Sequence, residues 1–202
     1  MSQGTLYIVS APSGAGKTSL LKAVREQLPA LKVAISHTTR DARPGENNGQ
    51  HYHFVSKTRF QQMVEDDEFL EYAEVFDNYY GTSRQAVLEL LDRGEKVVLE
   101  IDWQGAQQVR EKFPEAVSIF ILPPTIADLE ARLRSRGQDS DNVIAKRMDQ
   151  AHSEISHYNE YEFLVINDQM EEAIQQLIYV FSAPENYTHP KEDRMTALLS
   201  GL

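Results

Sequence analysis

Residues 6–11, Leu-Tyr-Ile-Val-Ser-Ala, run directly into Pro-Ser-Gly-Ala-Gly-Lys-Thr at 12–18, and this junction constrains the fold more than any other stretch. A near-continuous apolar run ended by a turn is the pattern of a strand buried on both faces of a parallel sheet. Apart from Ala11, where Gly is usual, the loop Ala11-Pro12-Ser13-Gly14-Ala15-Gly16-Lys17-Thr18 has the spacing of a phosphate-binding turn. Gly14 and Gly16 admit backbone dihedrals and a close approach that a Cβ would block. The successive N–H groups and the N-terminus of the following helix then face a polyphosphate. Lys17 would reach the β- and γ-phosphates of the bound nucleotide, and the Thr18 hydroxyl would ligate Mg²⁺. A helix from Lys17, with Leu20, Leu21 and Val24 inward, should stop before Pro29.

Buried-strand runs recur at 97–101, 117–122 and 163–166. Between or after them lie amphipathic helices. One starts at Ser83, with Val87, Leu90 and Leu91 inward and Gly94 as its stop. Another starts at the capping box Thr125-x-x-Asp128, buries Ile126, Leu129 and Leu133, and stops at Gly137. A last one buries Ile174, Leu177, Ile178 and Phe181. Alternation of this kind predicts an α/β fold with a doubly wound parallel-sheet core. Residues 36–86 break the rhythm. A polar, Gly- and Pro-punctuated stretch leads to a short strand at 51–55, a short helix with Phe60, Met63 and Val64 inward, and a further strand at 69–76. This reads as an inserted α+β subdomain. The tail from Pro184 is polar and carries no assignable element.

A formal net charge of −11 argues against nucleic-acid polymers and anionic membranes as partners. No apolar run approaches the ~18 residues of a membrane span. The start, Met-Ser-Gln-Gly-Thr, lacks the basic opening of a secretory signal. The absence of cysteine fits a reducing, cytoplasmic setting. An acidic chain can still bind small phosphates where its cations converge. Arg40 and Arg43 lie on a loop, because Pro44 disfavours helix at the residue before it. Arg132 and Arg136, four apart on a helix, and Arg147 on the next, flank the polar loop at 137–142. Taken alone they would read as a solvated basic face. In a chain with a phosphate loop they read as a closing lid that brings positive charge to a transferring phosphoryl group.

These residues resemble the guanylate kinases over positions 4 to about 182. The resemblance rests on Ser-Ala-Pro-Ser-Gly-Ala-Gly-Lys-Thr, Ser36-His-Thr-Thr-Arg40-x-x-Arg43-Pro-Gly-Glu, Gly-x-x-Tyr52-x-Phe, Phe69-Leu-Glu71, Asn78-Tyr-Tyr-Gly-Thr82-Ser, Asp102-Trp-Gln-Gly and Arg136-Gly, in that order. It implies phosphoryl transfer from ATP to GMP, with dGMP a further candidate acceptor. The core would comprise 1–35, 87–123 and 157–184, the GMP-binding insertion 36–86, and the lid 124–156, leaving 185–202 as a tail of unknown role. Arg40, Arg43, Tyr52 and Tyr80 would hold the GMP phosphate, while Ser36, Glu71 and Thr82 would read the guanine. Asp102 would lie near the acceptor and metal, with Glu100, where many members carry Asp, acting on the metal through water. Lys17, Arg132, Arg136 and Arg147 would carry the transfer, and Asn167 would lie near the adenine. Assembly into a homo-oligomer is left open.

The chemistry of the residues agrees. A carboxylate at Glu71 can accept from both guanine N1–H and the 2-amino group, and hydroxyls can donate to O6. Adenine lacks those two donors, and a site built to hydrogen-bond rejects such an analogue by on the order of 10⁴. The acceptor phosphate, with a second pKa of about 6, is mostly dianionic at neutral pH, so a general base is unnecessary. None of the six histidines has metal-ligand company. Three other readings compete: a non-catalytic module of the same fold, a kinase for another monophosphate, and a regulatory GTPase. The intact phosphate loop and arginines oppose the first, and Glu71 with Ser36 and Thr82 opposes the second. The lack of an Asn-Lys-x-Asp-type guanine motif opposes the third.

Overall fold

A computed structural model describes residues 4–75, 77–135 and 141–200. In chain order the elements are β1 (Thr5–Ser10), α1 (Lys17–Gln27), β2 (Leu31–Val33), β3 (His37–Thr38), β4 (His53–Phe54), α2 (Lys57–Glu65), β5 (Phe69–Val75), β6 (Asn78–Ser83), α3 (Arg84–Asp92) and β7 (Lys96–Glu100). They continue with α4 (Trp103–Lys112), β8 (Val117–Leu122), α5 (Ile126–Ser135), α6 (Asp141–Ile155), β9 (Phe163–Ile166), α7 (Met170–Ser182) and α8 (Glu192–Leu199). The expected α/β fold is present. The chain divides into two compact units, Met1–Ile8 with Ala30–Val117 and Val9–Pro29 with Ser118–Leu202.

The first unit contains two sheet regions. One is parallel, in the order β2-β7-β1, with Leu31 opposite Lys96 and Val33 opposite Val98. Val97, Val98 and Leu99 are fully buried, as a strand covered on both faces requires. The other is a four-stranded sheet in the order β4-β3-β6-β5, built by residues of the inserted stretch. Its hydrophobic centre is Phe60, Met63 and Phe69, with Val55, Val64 and Tyr79 packed against it. Ser56 starts α2 by accepting from the Arg59 N–H, and Ser83 starts α3 by accepting from the Ala86 N–H. The strand expected at 51–55 is shorter. Residues 47–52 fold back on themselves, with Gly49 donating to the Tyr52 carbonyl and His51 to the Asn47 carbonyl, so only His53 and Phe54 remain for the ladder.

In the second unit β8 and β9 pair in parallel, with Ile119 opposite Phe163 and Leu122 opposite Ile166. Helix α7 buries Ala173, Leu177, Val180 and Phe181 and packs on α1. Thr125 caps α5 as its sequence indicates, accepting from the Asp128 N–H at 3.0 Å. The tail, unassigned from sequence, lies on the β9 edge. The Tyr187 hydroxyl accepts from Leu164 N–H at 3.0 Å and donates to the Leu164 carbonyl at 2.7 Å, as a neighbouring strand would.

Candidate active site

In the second unit the phosphate loop joins β1 to α1. Gly16, with φ 92°, is the left-handed residue from which α1 starts, and Gly14 has φ 97°. A Cβ on Gly16 would lie 2.5 Å from the Asn167 amide nitrogen, so the position needs glycine for space as well as conformation. That amide donates to the Ala15 carbonyl at 2.7 Å and fixes the loop from the end of β9. Lys17 and Thr18 are the first two residues of α1, at the positive end of its dipole. The Arg132 guanidinium donates to the Asn167 carbonyl at 2.8 Å. Loop, Asn167 and Arg132 are thus one connected group. Arg147 lies on α6 and is half-buried. Arg136 falls outside the described residues. Glu154, which nothing in its helical context singles out, accepts from the Ser13 N–H at 3.0 Å.

The first unit holds the other assigned residues. Glu71 on β5 is only 3% exposed and Thr82 on β6 1%, and the two stand opposite each other in the ladder. Thr82 hydrogen-bonds to the Glu71 carboxyl. The Ser36 and Thr82 hydroxyls lie 3.0 Å apart. Either hydroxyl can donate to the other. Burial pushes the Glu71 carboxyl up to about 7, and the neighbouring Asp102 carboxylate pushes the same way; the Thr82 hydrogen bonds and Lys112 pull against them. A carboxylate held this far from water favours a ligand that presents hydrogen-bond donors to it.

An arginine–tyrosine corner is also assembled here. The Arg40 guanidinium sits 5.5 Å from the centre of the Tyr52 ring, and Tyr52 meets Tyr80 edge-on at 6.0 Å. Arg40 also hydrogen-bonds Tyr80 and pairs with Glu46 at 2.9 Å. Burial alone would weaken its charge, but the Glu46 pairing outweighs that and raises its pKa. The same Glu46 carboxylate accepts from the Arg43 N–H at 2.8 Å, so it shapes the turn carrying both arginines. The Arg43 side chain is exposed. Burial and the Glu100 carboxylate push the Tyr52 phenol up to about 12, keeping it a donor. Asp102 caps α4, one oxygen accepting from Gly105 N–H at 3.0 Å and the other from the Gln104 amide at 2.9 Å. Ser36, Arg40, Tyr52, Glu71, Tyr80, Thr82 and Asp102 therefore belong to one unit, and Lys17, Thr18, Asn167, Arg132 and Arg147 to the other.

A loop of phosphate-binding spacing after a buried parallel strand, together with a unit that holds a buried carboxylate and an Arg–Tyr corner, has the make-up of a nucleotide kinase of the phosphate-loop class. Known proteins narrow the class. The sequence model of the guanylate kinase family matches residues 3–183. A guanylate kinase from Vibrio vulnificus is 56% identical over 204 aligned positions, covering all of this chain and 97% of that protein. One from Vibrio cholerae is 55% identical, covering all of this chain and 99% of its own length. The crystal structure of guanylate kinase from Anaplasma phagocytophilum has a TM-score of 0.76 at 32% identity, over 93% of this chain and 89% of that one. The chain belongs to the guanylate kinase family.

Proposed function

We propose that this chain transfers the γ-phosphoryl group of ATP to GMP, giving ADP and GDP, with the second unit binding the donor and the first the acceptor. The observation that carries the reading is the buried Glu71–Thr82–Ser36 group, whose carboxylate answers the N1–H and 2-amino donors of guanine and whose hydroxyls answer its O6 acceptor. Arg40, Arg43, Tyr52 and Tyr80 take the GMP phosphate, and Asp102 contacts the acceptor nucleotide. Donor phosphates rest on the N–H groups of residues 11–18, with Asn167 beside the adenine.

The donor set fits a hard cation. Thr18 offers a hydroxyl at the start of α1, and among the described residues no three His, Asp or Glu side chains form a metal cage. Mg²⁺ commonly keeps several waters and is held by phosphates plus one or two protein groups. Thr18 would hold it, and when bound it would neutralise charge on the transferring group. Lys17 and the arginines at 132, 136 and 147 supply the remaining positive charge. Their work is alignment and electrostatics, because the acceptor oxygen needs no deprotonation. Residues 36–86 serve as the GMP-binding insertion and 124–156 as the lid. The lack of cysteine supports a cytoplasmic setting.

ADP release measured with ATP against a panel of nucleoside monophosphates tests this. GMP should exceed AMP, CMP and UMP by at least about 10³ in kcat/KM. A panel without a guanine preference would overturn the assignment.

A further inference from the structure

Glu71 sits on the outer strand of its sheet, in the order β4-β3-β6-β5. An edge strand is the least constrained place in a sheet for a group that must be held to a fraction of an ångström. The ladder is also irregular there. Phe69 pairs with Ser83 and Glu71 with Thr82, so β5 carries one extra residue between them. The bulge brings Phe69 and Tyr72, three apart, into ring contact at 6.2 Å and turns Glu71 the other way.

What fixes this segment from outside is one face of α4. Gly105, Gln108 and Lys112 are spaced three and four apart, so they lie in a row along the helix. The Gln108 side-chain amide accepts from Tyr72 N–H at 3.1 Å and donates to the Tyr72 carbonyl at 2.7 Å. It thereby replaces the strand that β5 lacks. Lys112 donates to the Leu70 carbonyl. The peptide groups on both sides of Glu71 are therefore held by side chains of a single helix. About one turn before Gln108, a Cβ on Gly105 would lie 2.4 Å from Glu71 Oε2 and 3.2 Å from its Cδ. Glycine in a helix costs about 1 kcal/mol relative to alanine. Here its hydrogen is what leaves room for the carboxylate. The contact is with the end of a side chain, so a methyl group would displace the carboxylate rather than the backbone.

We propose that Gly105, Gln108 and Lys112 are positioning residues for base selection, with α4 setting where the Glu71 carboxylate stands and hence how strongly guanine is preferred. This rests on the reading of Glu71 as the guanine-binding group. It also gives α4 a double task, since its N-cap is Asp102. The helix that presents one acceptor-site carboxylate also locates the other.

The test is steady-state kinetics on Gly105→Ala, Gln108→Met, Gln108→Glu and Lys112→Met, with Glu71→Gln in parallel. GMP and IMP, which lacks the 2-amino group, serve as acceptors, and ATP is varied separately. Gly105→Ala should raise the GMP KM about 10- to 100-fold, a misplacement effect. It should also pull the GMP-to-IMP preference toward that of Glu71→Gln, with ATP KM within about twofold and a melting temperature no lower than that of the unaltered chain. Gln108→Met should raise the GMP KM about tenfold, the worth of a lost hydrogen bond or two. Gln108→Glu, which can still accept from Tyr72 N–H but not donate to its carbonyl, should fall between Met and the unaltered residue. Lys112→Met should shift the GMP KM by a few fold.

Should Gly105→Ala not fold, the Gln108 pair carries the same test without altering backbone space. If Glu71→Gln loses the GMP-to-IMP preference while the α4 variants keep it, the role of α4 is overturned and the guanine reading stands. If the α4 variants lose GMP, ATP and thermal stability in equal measure, α4 is merely structural and the proposal again fails. A Glu71→Gln chain that retains the full preference overturns the underlying reading itself.

Discussion

On the proposed reading, the donor loop and the acceptor pocket would bind through opposite means. Residues 11–18 offer mainly backbone: N–H groups that any sequence possesses, exposed by two glycines with positive φ and braced by the Asn167 amide. The acceptor pocket offers side chains placed at some cost, with Glu71 buried at 3% exposure beside Asp102. A backbone cradle recognises phosphate without regard to the base, whereas a buried carboxylate with fixed partners discriminates between bases. Damage should divide along the same line: changes in the loop should cost turnover and ATP affinity, and changes around Glu71 should cost base selection.

Lys17→Ala should have the largest effect, lowering kcat by about 10³-fold or more with helicity and GMP affinity unchanged. Turnover within tenfold of normal would remove the loop lysine from the chemistry and blur the division. Gly16→Ala comes next. It forces a Cβ into the left-handed region, at about 1–3 kcal/mol, and against the Asn167 amide. ATP KM should rise roughly 10- to 100-fold, while GMP binding measured without ATP stays the same. A matching loss of GMP affinity would mean that the two ends are not separable.

A smaller effect should follow pH. With the Glu71 carboxyl raised to about 7 in the free protein, the ionised form that guanine needs is lost as pH falls through that value. From pH 7.5 to 6.5 the GMP KM should rise about threefold, with ATP KM flat. In Glu71→Gln only the phosphate's own step, near a pKa of about 6, should remain. An unchanged profile in that variant would assign the titration elsewhere.

The same shift has a consequence for stability. A carboxyl raised in the folded chain above its ordinary 4.5 favours folding most at low pH. That contribution is lost as pH rises toward about 7. On the proposed reading base selection therefore costs fold stability, unlike binding by the loop, whose N–H groups carry no such charge.

How much of this was legible in the sequence follows from how local each feature is. The phosphate loop, the strand before it and α1 were readable because spacing, glycines and apolar run lie within about fifteen residues of one another. The start of α3 at Ser83 and the Thr125 cap were readable for the same reason. Glu71 was legible only through its place in a run of family motifs. In Phe-Leu-Glu-Tyr-Ala a lone Glu reads as a solvated edge residue, and nothing local signals the bulge that turns it inward. Helix α4 escaped because its inward face is only Gly105, Ala106 and Val109, too little apolar surface for a periodic signal. Gln108 as a surrogate strand and Glu154 on the Ser13 N–H, separated from it by 141 positions, exist only after folding. The tail was opaque for a related reason: it is held by scattered contacts, the Tyr187 hydroxyl on Leu164, the Arg194–Asp168 pair and the buried Leu198, rather than by a periodic face.

Calorimetric titration of Glu71→Gln with GMP and, separately, with a non-hydrolysable ATP analogue tests the account most directly. The account predicts GMP affinity reduced by about 100-fold or more, ATP-analogue affinity within twofold of normal, and a ligand-free melting temperature at pH 8 raised by several degrees. Equal losses for both nucleotides, or GMP affinity left intact, would contradict it.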